Sequence, residues 1–361
     1  AEAAEEELVA ARAEAAEEEL PGIAKDQDER RSLWSAACSH GDHGPSCPLR
    51  PCAELGDNFL GVTQASYCKV FQNVTGLQRG MHVCAPNNPG DGPLPLFVFG
   101  HGHMTEPKVY RWLLHTIAAS GFVTASYRAC LLGPCPDAGS GEFLEMLRIV
   151  DLFSKPSFRL DGIPAVDPSL PVVVSGHSEG GRAAIMAAAV GDSPAYLQGT
   201  THAAELDKED GRLRKAATRI GALAALHPDP MYEAILNPDL PRFQGAISKT
   251  PVLEVCSGFD VSIPFLPFKN SSCWYFFNAV TSPDRIYWDQ PFGMHDELYH
   301  STSSYPWVAT FSRAYALGDR EAKELLFGDC PKCMRRAAAR AVPGELHLGE
   351  GNISLLICSG E

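Results

Sequence analysis

The sequence predicts a mostly parallel central β-sheet with helices on both of its faces, and three observations lead to that fold class. Short apolar segments alternate with segments of helical periodicity from about residue 69 to residue 328. The segment at 171–175 is a run of β-branched residues, which is typical of a buried parallel strand. The chain has 361 residues, of which 45% are hydrophobic and 20% charged, so it is long enough to bury a sizeable core. Such alternation indicates βαβ units.

The elements follow in a simple order. A first strand begins near residue 69 and leads into the turn sequence at 86–93, which is rich in Pro, Asn and Gly. We expect no separate lid domain, because the helix before the strand at 171–175 connects to it through a Pro-rich stretch. Further strands are expected at 94–99, 122–127, 171–175, 220–226, 252–256 and 286–288, and helices at 110–120, 142–154, 180–190, 305–317 and 320–327.

The flanking segments differ in composition from this unit. Residues 1–31 form an acidic, Ala- and Glu-rich arm that carries AEAAEEEL twice and is predicted to be helical. Residues 32–68 form a Cys-rich lead-in, residues 69–328 the main α/β domain, and residues 329–361 a Cys-containing C-terminal tail. The lack of an initial Met suggests that a leader has been removed.

Charge and hydropathy exclude some partners. The net charge of −14 argues against nucleic acid or an anionic membrane surface as a main partner. No apolar run approaches the ~20 residues of a membrane span, so no transmembrane segment is predicted. Oligomeric state is not indicated by any feature of the sequence.

Cysteines and glycosylation sequons predict an oxidising compartment. The chain has 12 cysteines, most of them in loop-like sequence, and sequons begin at Asn73, Asn270 and Asn352. The Cys and His residues at 38–52 match no paired zinc spacing, so disulfides are favoured there. We therefore expect a secreted or lumenal glycoprotein, most simply an extracellular one. A cytosolic protein with incidental thiols is the alternative.

The segment Gly176-His177-Ser178-Glu179-Gly180 predicts a nucleophilic serine. A bare GxSxG match is weak, but here a buried strand runs directly into Gly176 and a helix of small residues follows Ser178. Small residues are needed because such a turn brings strand and helix backbones close together. The alternative is a Gly-rich strand-helix turn without chemistry.

The sequence also offers an oxyanion hole. One donor is expected to be the backbone N–H of Glu179, and the second that of His103, in the loop that follows the strand at 94–99. Met104 or Thr105 is a candidate to line the same site. A metal reading of His101 and His103 lacks a third ligand at metal spacing, so no metal is predicted.

An acid and a base follow in the chain order Ser, Asp, His. Asp260 comes after a buried strand and a Gly turn, and we favour it as the acid over Asp229. His295 follows the strand at 286–288 in a Gly-containing loop, and we favour it as the base over His300. An acid there would orient the imidazole and stabilise the imidazolium.

These blocks resemble a known superfamily. The x-His-Gly-x loop at 100–103, Gly-His-Ser-Glu-Gly-Gly at 176–181 and Thr-Pro-Val-Leu at 250–253 resemble the dienelactone-hydrolase-like branch of α/β-hydrolases. Cutinase-like polyester (PET) hydrolases and plant chlorophyllases are the groups they resemble. The resemblance implies an α/β-hydrolase fold, a triad of Ser178, Asp260 and His295, ester substrates and no cofactor. It also implies a disulfide near the acid loop, for which Cys256 would need Cys273.

One position departs from the resemblance. Chlorophyllases usually carry Arg after the nucleophile, whereas this chain carries Glu179, which we expect to repel anionic substrate groups.

The sequence therefore predicts a serine hydrolase that cleaves small or polymeric carboxylic esters, such as polyester, cutin-like or lipid esters, through an acyl-enzyme. A chlorophyllase-like esterase and an acyltransferase on the same triad are alternatives. A catalytically inactive binding module is the alternative of another class, and the ordered Ser, Asp and His argue against it.

Overall fold

The computed structural model of the chain describes residues 66–89, 92–103, 105–128, 142–208, 211–228, 245–259, 271–295, 298, 304–328, 334, 344–349 and 354–357. Within these residues the strands form one 10-stranded sheet in the order β1-β2-β4-β3-β5-β6-β7-β8-β9-β10. The strands are β1 (Ser66–Phe71), β2 (Met81–Pro86), β3 (Leu96–Gly100), β4 (Val123–Tyr127), β5 (Val172–His177), β6 (Ile220–Leu226), β7 (Val252–Phe259), β8 (Arg285–Met294), β9 (Gly344–Gly349) and β10 (Ser354–Ile357).

The helices of the described residues connect and cover these strands. A 3-10 turn at Pro107–Tyr110 precedes the first of them. They are α1 (Arg111–Ala119), α2 (Glu142–Phe153), α3 (Glu179–Asp192), α4 (Thr201–Asp207), α5 (Arg212–Ala217), α6 (Ser271–Ala279), α7 (Tyr305–Ala316) and α8 (Arg320–Phe327).

The centre of the sheet is parallel and both of its edges are antiparallel. Six consecutive strands of the sheet pair in parallel with one another, in the order β4, β3, β5, β6, β7 and β8. β2 and β1 add antiparallel strands at one edge, and β9 and β10 add them at the other. The predicted fold class, a mostly parallel sheet flanked by helices, is confirmed. In such a sheet, loops at the carboxyl ends of the strands meet at one edge, which is where ligands bind.

The two faces of the sheet carry separate apolar cores. Val172 and Val174 of β5 belong to a core shared with α2, α3 and α5, whereas Val173 belongs to the opposite core with α1, α7 and α8. Alternate residues of a strand point to opposite faces, so a strand buried on both faces must be apolar throughout. This requirement explains the continuous valine run that made β5 the strongest strand signal in the sequence.

Several elements differ from the expectations drawn from the sequence. β1 starts at Ser66, three residues before the predicted start of the catalytic unit, and two antiparallel strands precede the turn at 86–93 rather than one. The helices α4 and α5 span only 7 and 6 residues, which is too short to show an apolar period. The segment treated as a tail contributes β9 and β10 to the sheet.

Two disulfides lie within the described residues. Cys68 of β1 is joined to Cys84 of β2, and Cys256 of β7 is joined to Cys273 of α6. The second is the pairing that the resemblance implied, and it ties the strand that leads to the acid loop onto α6. Asn73, the first residue of a sequon, is exposed after β1. None of the described helices is both long and apolar enough to cross a membrane.

Candidate active site

Ser178 lies alone between β5 and α3 in a strained backbone conformation. Its dihedral angles are φ 55° and ψ −121°, which non-glycine residues rarely adopt and which costs about 1–3 kcal/mol. The Ser178 N–H donates to the carbonyl of Leu226 at 3.1 Å, and its own carbonyl accepts from the N–H of Arg182 at 3.0 Å. β6 and the first turn of α3 therefore hold the strained residue from two sides.

Close backbone packing explains the glycines on either side of Ser178. A Cβ on Gly176 would lie 2.2 Å from the carbonyl oxygen of Gly180. A Cβ on Gly180 would lie 2.2 Å from the carbonyl carbon of Gly100, at the end of β3. Real Cβ atoms do not approach backbone so closely, so the turn needs glycine at both positions. The same contact brings the loop after β3 against the start of α3.

That loop carries the predicted oxyanion residue His103. A Cβ on Gly102, the residue before it, would lie 3.4 Å from Cβ of Ser178 and 3.0 Å from the hydroxyl oxygen of Tyr110. The N–H of Gly102 donates to the Tyr110 hydroxyl at 2.9 Å, and Thr105 donates through Oγ1 to the carbonyl of Gly102 at 2.8 Å. The loop is therefore fixed beside the nucleophile by its own backbone and by a tyrosine hydroxyl.

The side chain of Glu179 connects the same loop to α3. Its Oε2 lies 2.9 Å from Nδ1 of His103, and its Oε1 accepts from Nη2 of Arg182 at 3.0 Å. The Arg182 side chain is 1% exposed and that of Glu179 is 12% exposed, whereas the His103 side chain is 74% exposed. The charge that we expected to repel anionic groups is thus compensated by a buried arginine one helical turn away. The sequence alone did not predict that partner.

His295, the predicted base, follows β8 directly and lies against His177. The ring centroids of the two histidines are 4.7 Å apart. The Nε2 of His177 lies 2.7 Å from the backbone carbonyl oxygen of His295. His177 directly precedes the nucleophile in the chain. The structure therefore brings the loop that bears His295 next to the turn at residues 176–180, which we call the elbow.

A third histidine completes this cluster. His227, at the end of β6, is fully buried, and its ring centroid lies 5.8 Å from that of His177 and 6.2 Å from that of His295. Its φ of 44° is another positive value on a non-glycine residue. The N–H of His227 donates to the carbonyl of Val255 in β7, which fixes this turn at the carboxyl edge of the sheet.

Several predicted site residues lie outside the described residues. They are Asp260, its rival Asp229, the alternative base His300 and the wall residue Met104. Asp260 comes directly after the last described residue of β7, Phe259. Its role as the acid therefore stays a prediction.

A buried polar layer lies below the elbow. Glu142 of α2 accepts from Arg79 at 3.2 Å and from the Tyr127 hydroxyl at 3.3 Å. Burial, followed by the nearby Glu179 carboxylate, raises the pKa of Glu142 to about 7 despite Arg79. Burial also lowers the pKa of His101 to about 4, so this imidazole is neutral at pH 7 and donates from Nδ1 to the carbonyl of Gly102.

Two groups of described residues have the side chains that metal ions prefer. They are Cys68 with His82 and Cys84, and Glu254 with Cys256 and Cys273. In each group the two sulfur atoms are joined in a disulfide, whereas zinc is bound by thiolates. In this oxidised form, neither group offers two thiolates.

Comparison with known proteins gives a family match over part of the chain. The model of the chlorophyllase family matches residues 60–215, a span that contains β1 to β5, the loop of His103 and the Ser178 elbow. No curated protein matches the chain. The chain has an α/β-hydrolase fold. The match supports a hydrolase of the ester-cleaving kind. It ends before β6, so it does not extend to the predicted acid and base residues.

The sequence did not indicate three residues of this site as partners of Ser178 and its loop. They are Tyr110, Arg182 and, as a hydrogen-bonding group, His177. Arg182 carried a weak signal, because a lone arginine within the Ala-rich apolar face of α3 needs a buried partner. Tyr110 carried none, since its contact with His177 joins residues 67 positions apart in the chain.

Proposed function

We propose that this α/β-hydrolase is a serine esterase that cleaves carboxylic esters through an acyl-enzyme. The observation that supports the proposal best is the conformation of Ser178. A serine with φ 55° between a parallel strand and a helix is costly, and such strain is typically kept where it exposes a nucleophile.

In the proposed reaction, His295 takes the proton of the Ser178 hydroxyl while Oγ attacks the ester carbonyl. The tetrahedral oxyanion accepts from the backbone N–H groups of His103 and Glu179. Collapse of the intermediate expels the alcohol, which receives the proton from His295, and leaves Ser178 acylated. Water, deprotonated by His295, then releases the acid and restores the serine. Asp260 would orient the imidazole and stabilise its protonated form.

We propose esters with a large apolar alcohol as the substrate class. The support is the match to a family named for chlorophyllase, in which the resemblance implies cleavage of a phytyl ester. Glu179 stands where that group usually has arginine, but its contact with buried Arg182 balances its charge. The balanced pair removes the reason to exclude substrates that carry a negative charge near the ester.

The test compares Ser178→Ala with Ser175→Ala under a fluorophosphonate probe and a panel of p-nitrophenyl and phytyl esters. Ser175 is a matched control because it lies on β5, is fully buried, and its hydroxyl has no partner among the described residues. We expect Ser175→Ala to label and turn over like the wild type. Ser178→Ala should not label, and its kcat should fall by about 10³-fold or more.

Equal ester turnover by Ser178→Ala and the wild type would refute the proposal. A folded wild type that neither labels nor cleaves any ester of the panel would favour a binding module on the same fold. Addition of an alcohol acceptor to an active sample, with analysis of the products, separates hydrolysis from acyl transfer.

A further inference from the structure

A continuous hydrogen-bonded path crosses the site. It runs from the oxyanion loop, which carries Gly102 and His103, to the base loop, which carries His295. It begins at the N–H of Gly102, which lies 2.9 Å from the Tyr110 hydroxyl oxygen. That oxygen lies 2.8 Å from Nδ1 of His177, and Nε2 of His177 lies 2.7 Å from the carbonyl oxygen of His295. Tyr110 and His177 are both fully buried.

For a neutral His177, the groups at the two ends give each of the three bonds of the path a direction. A backbone carbonyl can only accept, so Nε2 of His177 carries the hydrogen that is donated to His295. Nδ1 of a neutral imidazole is then an acceptor, and the Tyr110 hydroxyl donates to it. The same hydroxyl oxygen accepts from the N–H of Gly102. All three bonds are therefore satisfied by one arrangement of hydrogens, with His177 neutral.

We propose that Tyr110 and His177 are positioning residues that couple the oxyanion loop to the base loop across the nucleophile. The proposal rests on the proposed esterase function and adds to it residues outside the triad. Gly102 directly precedes His103, whose N–H is the proposed oxyanion donor. The bond to His295 restrains the backbone of the proposed base itself.

The position of the path explains why it can act on chemistry without touching substrate. Gly102 packs so closely that a Cβ there would lie 3.1 Å from Nδ1 of His177 and 3.4 Å from Cβ of Ser178. A small shift of Tyr110 or His177 therefore moves an oxyanion donor, the nucleophile and the base relative to one another. Catalysis is sensitive to misplacements of this size, whereas ground-state binding is less so.

The experiment uses Tyr110→Phe and His177→Phe in the full chain, with Tyr127→Phe as the matched control. Tyr127 is also fully buried and its hydroxyl donates to Glu142, outside the path. For Tyr110→Phe and His177→Phe we expect a kcat reduced by about 10-fold, with KM within about 2-fold of the wild type. Tyr127→Phe should keep its kcat. His177→Gln, which restores a donor near Nε2, should recover part of the loss.

The double variant measures the coupling directly. If the two residues act as one path, Tyr110→Phe with His177→Phe should lose about 10-fold in kcat, rather than the about 100-fold expected of independent sites. Melting curves confirm that each variant is folded, and His177→Phe serves if Tyr110→Phe does not fold.

Two kinds of failure are distinguishable through the labelling of Ser178 by a fluorophosphonate. A wild type that does not label would overturn the esterase and the path with it. A wild type that labels, together with Tyr110→Phe and His177→Phe variants that label and turn over at the wild-type rate, would overturn the path alone. Multiplicative losses in the double variant would also overturn the coupling.

Discussion

The elbow and the base loop of this site are held by different forces. Around Ser178, backbone packs on backbone, and Gly176, Gly180 and Gly100 leave no room for side chains. Around His295, the contacts are made by the side chain of His177, whose ring lies against the His295 ring and whose Nε2 donates to the His295 carbonyl. At the elbow, Gly176 and Gly180 are nearly adjacent in the chain and pack on the more distant Gly100, whereas the base loop depends on a side-chain contact between residues 118 positions apart.

This difference separates two kinds of sensitivity. Closely packed backbones cannot take up an added side-chain atom in place, so a substitution at the elbow must move whole strands or helices. Side-chain contacts can be lost one at a time, so the base loop should respond in graded steps. Substitutions at the elbow and in the base loop can therefore show whether each region contributes mainly to kcat or mainly to the stability of the fold.

The largest effect is expected from removal of the base. His295→Ala should reduce kcat for a p-nitrophenyl ester by about 10⁴-fold, because Ser178 would lose its proton acceptor. The melting temperature should change little, since His295 is only partly buried. Steady-state kinetics and a melting curve on the same sample measure both.

His300→Ala is the control for this assignment, because His300 is the only other histidine between Asp260 and His347. We expect it to keep its kcat. A large loss in His300→Ala with normal turnover in His295→Ala would exchange the two roles and leave the proposed esterase intact.

A smaller loss of activity, with a loss of stability, is expected from Gly180→Ala. Its Cβ would meet the carbonyl carbon and oxygen of Gly100 at 2.2 and 2.3 Å, so α3 and β3 would have to separate. We expect a destabilisation of about 3 kcal/mol and a kcat reduced by about 100-fold. Chemical denaturation and ester kinetics measure the two effects.

Gly92→Ala is the matched control, because a Cβ there would have nothing within 4 Å and no positive φ applies. It should behave like the wild type in both assays. If Gly180→Ala matched Gly92→Ala, backbone contact at the elbow would not be what holds the site.

The sequence predicted the centre of the fold well, and missed its edges for a physical reason. β5 and β6 are buried on both faces, so their apolar runs stand out in the sequence. β1 has one buried side at most and reads Ser-Tyr-Cys-Lys-Val-Phe, in which strand and loop signals mix. β9 and β10 add antiparallel strands at the other end of the sheet. The pairing of β9 with β8 joins segments far apart in the chain, which a local sequence pattern does not show.

For the site, the sequence predicted what is local. Strand, glycines and serine are contiguous, so the elbow could be recognised from residues 171–181. The environment of the side chains could not, because His103 contacts Glu179 only after α3 and the loop after β3 have packed together. The roles of Asp260 and His295 stay predictions that rest on chain order.

The smallest effect is expected below the elbow, in the pH dependence of stability. Burial raises the pKa of Glu142 from 4.5 to about 7, so the folded state holds this proton more tightly than the unfolded state does. The resulting stability is fully present below pH 4.5 and is lost as the pH rises through about 7. Glu142→Gln removes this loss, which amounts to at most ~3 kcal/mol.

The melting temperature of the wild type should therefore fall relative to that of Glu142→Gln between about pH 5 and about pH 8. The wild-type curve alone is not diagnostic, because the lowered pKa of His101 acts in the opposite sense. His101 contributes stability that is present above pH 6.5 and lost as the pH falls through about 4. The two contributions overlap near pH 5–6 and partly cancel, so only the difference between wild type and variant isolates Glu142. Parallel curves for the two proteins would mean that Glu142 is charged in the fold, and that Arg79 outweighs burial and the Glu179 carboxylate.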